Sequence, residues 1–184
     1  MSLILIGANN NRSINASPDG RLHVSSRSGA RAYYNAREEG LAFSWTNATY
    51  NYTAGDTILG VYNTSATKKL RIHGVYLWGD AATLVKIHRP TAASVTMAGT
   101  AVEGVNLNGS FSTPAPATAK ADETGNTLGE ILLTVGIVAS GASVFVGLDD
   151  IVTLGQNQMI GVDYVTVGTA ASVTIVGYFE ADES

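Results

Sequence analysis

The stretch that decides the fold class is residues 56–90, DTILGVYNTSATKKLRIHGVYLWGDAATLVKIHRP. Residues 57–63 and 70–78 are rich in β-branched and aromatic residues, and a short polar segment, 64–69, separates them. Runs of this composition predict strands, and a short polar connection between two of them predicts a β-hairpin. The stretch therefore predicts an antiparallel β structure.

The same stretch continues into a third predicted strand. A turn at 79–82 precedes residues 83–88, and Pro90 ends the strand because proline cannot donate a ladder hydrogen bond. Similar strand patterns recur at 41–45, 100–107, 131–148, 151–167 and 172–180. Since no long helical pattern interrupts them, we expect an all-β, antiparallel sandwich of two sheets.

The predicted strand 70–78 contains a change of phase. If side chains alternated regularly, the apolar pairs Leu70/Ile72 and Val75/Leu77 would lie on opposite faces. A one-residue insertion corrects such a slip, and glycine favours the required backbone. We therefore predict a β-bulge at His73–Gly74.

The composition favours a surface covered largely by partner subunits over that of a β-rich protein with short polar side chains. Charged residues make up 14% of the 184 residues, against about 25% in ordinary soluble domains. Small residues and uncharged polar residues are abundant, which leaves few charges to cover the surface.

The sequence has no cysteine, which excludes disulfides and thiolate metal sites.

The charges divide unevenly along the chain. Residues 1–37 hold five arginines, no lysine and one acid, a net charge of +4. Residues 38–184 hold six basic and fourteen acidic residues, a net charge of −8. We expect a basic, extended N-terminal arm (1–40) before a sandwich domain (41–184), with one or two helical turns at 30–40 ending at Gly40.

The arm is the predicted partner-binding segment. Guanidinium groups make planar, bidentate contacts with carboxylates, so the arm is expected to dock on an acidic partner surface or on a neighbouring subunit. Pairing with the acidic body of the same chain is the alternative. Nucleic acid is not expected, because the arginines are widely spaced and the body is acidic. The residues proposed for this contact are Arg27, Arg31 and Arg37 with Tyr33 and Tyr34.

Two further segments carry structural expectations. Residues 91–127 are rich in small residues and predict a projecting loop near 108–127. Residues 131–148 carry no charge and reach the length of a membrane span. Their three glycines and acidic flanks favour a hairpin buried in the sandwich over a transmembrane helix. The N-terminal sequence MSLILIG has no basic residue before its apolar run, so no signal peptide is predicted.

No catalytic motif is present, so neither an enzyme nor a cofactor is expected. His73 and His88 could meet on neighbouring strands, with Asp80 as a third metal ligand, but a structural role for the histidines is favoured. Asp149–Asp150 could bind a hard cation, although a solvated turn is favoured. No metal site is therefore predicted. Trp45, Trp78 and the tyrosines of 49–52 could form a sugar platform, but core packing and subunit contacts are favoured.

Several segments resemble small jelly-roll proteins of tailed-bacteriophage virions. They are DTILGVYNTSATKKLRIHGVYLW and LVKIHRP, the later LGQNQMIGVDYVT and ASVTIVGYFE, and the linker SSRSGARAYYNAREEGLAFSW. The resemblance implies a capsid decoration (cement) protein, a homotrimer on the outside of the head that binds the major capsid protein. It implies synthesis in the host cytoplasm, a place on the capsid surface, and no catalytic residues, nucleic acid or membrane. The alternative is a receptor- or glycan-binding head of a tail fibre or spike, using the 108–127 loop and aromatic residues; a polysaccharide-active enzyme is a third hypothesis.

Overall fold

A computed structural model describes residues 29–47, 50–52, 57–90, 98–123, 129–149, 151–166 and 168–181. One helix and thirteen strands lie in these ranges. They are α1 (Gly29–Glu38), β1 (Ala42–Thr46), β2 (Tyr50–Tyr52), β3 (Thr57–Asn63), β4 (Lys68–Gly79), β5 (Thr83–Arg89), β6 (Thr100–Val102), β7 (Val105–Asn106), β8 (Ala117–Glu123), β9 (Glu130–Ile137), β10 (Val144–Gly147), β11 (Thr153–Leu154), β12 (Met159–Tyr164) and β13 (Gly168–Ala181).

The strands form an antiparallel β-sandwich. The seven-stranded sheet has the order β10-β4-β13-β1-β7, with β11 also paired to β4 and β2 to β13. The six-stranded sheet has the order β6-β8-β3-β12-β5-β9. Apolar side chains of both sheets fill the space between them, and the largest are Trp45, Tyr164, Phe43 and Phe179. The predicted all-β sandwich is confirmed.

Eight of the strands pair in a nested order. In chain order they are β1, β3, β4, β5, β9, β10, β12 and β13. The first pairs with the last, the second with the seventh, the third with the sixth, and the two central strands with each other. The four shorter strands β2, β6, β7 and β11, together with β8, extend this framework.

The predicted hairpin of residues 57–78 is wrong. Strand β3 belongs to the six-stranded sheet, β4 to the seven-stranded sheet and β5 to the six-stranded sheet again. The chain therefore crosses the sandwich at each connection instead of folding back in one sheet. The strand positions are confirmed, but their partners come from distant parts of the sequence: β3 pairs with β8 and β12, and β4 with β13.

The second predicted hairpin, 131–148, is also wrong. Its two strands, β9 and β10, are the edge strands of opposite sheets, and the segment 138–143 crosses between them. β10 alternates between partly buried and exposed positions, whereas most positions of β9 are exposed and its register with β5 shifts once. The transmembrane-helix alternative fails because this segment is β-structure. Among the residues with described coordinates, no helix is long and apolar enough to cross a bilayer.

Part of the predicted projecting loop belongs to the sandwich. Residues 117–123 of the range 108–127 form β8, which lies between β3 and β6. Ala119 and Ala121 are buried on its inner face. Small alanine side chains fit close to the facing sheet, which explains a strand made of residues with low strand propensity.

The predicted bulge is confirmed. Along the β4–β13 pair, Gly74 lies opposite Val176 and Ile72 opposite Gly177, so His73 is the extra residue. This insertion lets Ile72 and Val75 both face the core, and it places the His73 ring on the outer face.

The predicted helical turns at 30–40 are present as α1. Gly40 has a φ of 70°, a conformation that glycine adopts without steric cost. The Gly40 amide donates to the Arg37 carbonyl and the Leu41 amide to the Ala36 carbonyl, at 3.1 and 2.7 Å. These two bonds form a Schellman motif, which ends the helix and starts β1 one residue later.

Candidate functional site

Helix α1 docks on the outer face of the seven-stranded sheet. Ala32, Tyr33 and Ala36 on the helix pack against Ala42 of β1 and Tyr178 of β13. The two alanines let the helix approach the sheet closely, and the Tyr33 ring meets the Tyr178 ring edge-on with centroids 5.9 Å apart. The last part of the predicted arm is therefore held in a fixed position on the sandwich.

The contact continues onto β4 through His73. The Tyr33 and His73 rings are parallel, with an interplanar angle of 2° and centroids 4.1 Å apart. The His73 Nδ1 atom lies 2.5 Å from Asp149 Oδ1, which holds the imidazole in the stacking orientation. Burial raises the pKa of the Tyr33 phenol, and the Arg37 guanidinium partly offsets this effect.

Two more aromatic rings extend this contact across the sheet. The Phe145 ring lies 6.1 Å from His73, and the Tyr76 ring lies 4.7 Å from Phe145. A Cβ atom on Gly74 would stand 2.4 Å from the Phe145 ring, so glycine makes room for the ring to lie on the strand. Tyr76 and Phe145 are 45% and 46% exposed. We name Tyr33, His73, Phe145 and Tyr76 the aromatic row.

The predicted arm residues are only partly brought together. Arg37 pairs with Glu38 at 3.0 Å and lies over the Tyr34 ring, 5.0 Å from its centroid. Tyr34 points to solvent, whereas Tyr33 faces the sheet. Arg31 lies on α1, and only its backbone is described; Arg27 lies outside the described residues. Arg37 and Tyr34 thus remain available on the exposed side of the helix.

The aromatic row includes residues that the sequence reasoning did not connect. The sequence connects Tyr33 only with the arm contacts, and His73 with the bulge and with a structural or metal-binding role. Phe145 and Tyr76 were assigned only to strands. The predicted bulge was the available signal, because it puts two successive residues, His73 and Gly74, on the outer face of the sheet.

The metal site considered at His73 and His88 does not form. His73 and His88 lie on β4 and β5, which belong to different sheets. His88 is fully buried with its Nε2 atom 2.9 Å from Asp163 Oδ1. The Asp80 carboxylate accepts hydrogen bonds from the amide and the hydroxyl of Thr169. The bond from the hydroxyl is the main cause that lowers the pKa of Asp80. The described part of the chain contains no group of three potential metal ligands. Asp149 is paired with His73, and Asp150 lies outside the described residues.

Trp45 does not contribute to the sugar platform considered from the sequence. Trp45 is wholly buried in the core beside Phe43, so its ring is not available to a ligand. Trp78 is partly buried on β4, and the side chains of the tyrosines at 50 and 52 are not described. Core packing of Trp45, the favoured interpretation, is confirmed.

A cleft lies at the other end of the sandwich, beside the short strands β6 and β7. It has a volume of about 480 Å³ and lies along the 111–120 segment. Most of its walls are small residues, and it also includes Phe111, Glu103 and Lys120.

Comparison with protein-family models, curated proteins and solved structures gives no significant match.

Proposed function

We propose that this chain is a capsid decoration (cement) protein of a tailed bacteriophage, a homotrimer that binds the major capsid protein from outside the head. The observation that carries the proposal is the nested pairing of eight strands. A long antiparallel hairpin wrapped into two sheets pairs its first strand with its last and so on inwards, which is the arrangement of a jelly roll. This agrees with the resemblance of the β3–β5 and β12–β13 segments to jelly-roll virion proteins.

The docked helix supports a role for the arm. Because α1 is held on the seven-stranded sheet by its Schellman motif and the Tyr33–His73 stack, the chain that precedes it starts from a defined place. Arg37 and Tyr34 lie on the solvent side of this helix. An arm that starts from a fixed point can reach a neighbouring capsid subunit with little loss of orientation.

The mechanism is additive burial. Each contact contributes roughly 25 cal/mol per Å² of apolar area removed from water. Three linked copies bind together, so the second and third attachments are intramolecular and raise the overall affinity by about 10²–10⁴. Attachment then strengthens the shell by holding neighbouring capsid subunits together.

The direct test uses capsids assembled without this protein. Purified protein is mixed with them and the particles are imaged by cryo-electron microscopy. We expect added density at regular lattice positions, with a copy number set by the lattice, and a higher melting temperature of the particles. Particles without added density at saturating protein would contradict the proposal.

A second candidate function is a receptor- or glycan-binding head. The cleft beside β6 and β7 favours it, because Phe111 and the 111–120 segment lie in the region predicted for such a face. Binding of the protein to host cells or a glycan array, lost in a Phe111→Ala variant but kept in a Tyr76→Ala variant, would support this function. It would be contradicted if neither cells nor glycans retained the protein.

A further inference from the structure

Most exposed apolar side chains of the described residues lie near the edges of the two sheets that end in β9 and β10. Most of the large apolar side chains exposed in the described residues lie on β4, β5, β9 and β10 or in the connections that adjoin them. They are Tyr76, Leu84, Ile131, Leu133, Val138, Phe145 and Ile151. Val165, in the β12–β13 connection, adjoins them because its amide donates to the Leu84 carbonyl of β5. We name the side formed by β9, the 138–143 connection and β10 the uncharged side. A cluster of this kind on one side of a protein marks an interaction surface.

The edge strands on the two sides of the sandwich differ in length. On the opposite side the sheets end in β6 and β7, which have three and two residues, next to a loop with two prolines. Short edge strands and prolines are common means of preventing strand-to-strand association. On the uncharged side the six-stranded sheet ends in β9, which has eight residues and no proline. Within the described chain, β9 pairs with β5 alone, so its outer edge has main-chain groups free to bond.

Charge also separates this side from the rest of the molecule. Residues 131–148 contain no charged side chain, although the chain has a net charge of −4. Two copies that meet through this segment therefore bring no like charges of it together. Edge strands that must stay unpaired in solution usually carry charges, and these two strands carry none after Glu130.

We propose that the uncharged side is the surface through which copies of this chain associate. It presents an edge of each sheet, β9 and β10, joined by only six residues. The β9 edge of one copy can therefore meet the β10 edge of the next, a head-to-tail contact that closes around a threefold axis. The inference rests on the homotrimer in the proposed function and does not depend on binding to a capsid.

The test is the mass of the purified chain by light scattering at micromolar concentration. Wild type is expected at about three times the 19.1 kDa of one chain. Leu133→Lys places a charge on β9, and Val138→Lys places one on the connection, where the native side chain is 70% exposed. Because these positions are exposed in a single copy, both variants are expected to fold with unchanged circular dichroism and to have the mass of one chain.

The matched control is Val105→Lys on β7, a position 62% exposed on the opposite side. It introduces the same charge and is expected to keep the mass of three chains. A wild type with the mass of one or two chains would overturn the threefold arrangement. The choice of surface would be overturned if Val105→Lys also dissociated the trimer. It would equally be overturned if neither Leu133→Lys nor Val138→Lys dissociated it. If wild type is a trimer of this kind but adds no density to capsids, the decoration role alone fails.

Discussion

The side-chain amide of Asn63 donates a hydrogen bond to the carbonyl oxygen of Leu154, 91 residues away in the sequence, with 2.9 Å between the two atoms. The same amide donates to the Lys68 carbonyl at 3.0 Å, and its oxygen accepts from the Ser65 amide. Asn63 is fully buried where β3 of one sheet ends and the chain crosses to β4 of the other. One side chain therefore joins both sheets and fixes the crossing.

We predict that Asn63→Ala lowers the free energy of unfolding by about 2–4 kcal/mol, because it leaves buried carbonyl groups without partners. Urea denaturation measures this change. Tyr62→Phe is the control, since it removes an exposed hydrogen bond to Asn157 and is expected to cost less than about 1 kcal/mol. Equal costs for the two variants would show that Asn63 does not fix the crossing.

The stack of Tyr33 on His73 is expected to hold helix α1 in place. We predict that His73→Ala loses the roughly 0.5–1.5 kcal/mol of an aromatic pair and speeds hydrogen exchange of the α1 amides about 2- to 10-fold. Exchange in β12, inside the six-stranded sheet, is expected to be unchanged. His73→Phe restores a ring, so it should recover most of the protection; similar exchange in both variants would contradict this role.

The pKa of Tyr33 predicts a response to alkaline pH. Burial raises this pKa above the ordinary value of 10.0, so the folded state favours the protonated phenol. Its stabilising contribution is complete below pH 10 and is lost as the pH rises through the raised pKa. Thermal melting between pH 9 and 12 should show a steeper loss for wild type than for Tyr33→Phe. Parallel pH profiles for the two proteins would contradict the prediction.

The predicted arm contacts are tested by a combined substitution. We expect changing Arg27, Arg31 and Arg37 to glutamine to weaken attachment to capsids strongly and to flatten its salt dependence, because screened charge contacts are lost. Each single change should have a small effect, since exposed ion pairs contribute about 0–1 kcal/mol. The control variant has Lys68, Lys86 and Lys120 changed to glutamine, which gives it the same net charge as the triple arginine variant. It should bind like wild type. Equal binding by both triple variants would exclude the arm as the attachment segment.

The strand positions were predictable because alternation is a local property. The phase change between Ile72 and Val75 even located the bulge at His73, since only an inserted residue lets both face the core. Strand β8 was missed because ATAKADE contains few residues with high strand propensity. Its alanines are suited to burial against a neighbouring sheet, a requirement that arises only in the folded structure.

Strand partners were not predictable in the same way. The 64–67 connection is short enough for a hairpin, yet the chain uses it to cross the sandwich because β4 pairs along eleven positions with β13. That pairing joins residues about a hundred positions apart, and no local pattern reports it. The candidate site had the same limit: Tyr33 was identified, but its stacking partner lies forty residues away on a different element.

The central place of β13 has a consequence for the time at which the protein can fold. This strand is the longest in the described structure and stands between β4 and β1, so neither of them has its principal partner until β13 has left the ribosome. A nascent chain that ends before residue 168 exposes unpaired edges on both strands and is prone to associate with other chains. Completion of the seven-stranded sheet therefore has to wait for the synthesis of β13, and the distant pairing predicts slow folding for a domain of this size.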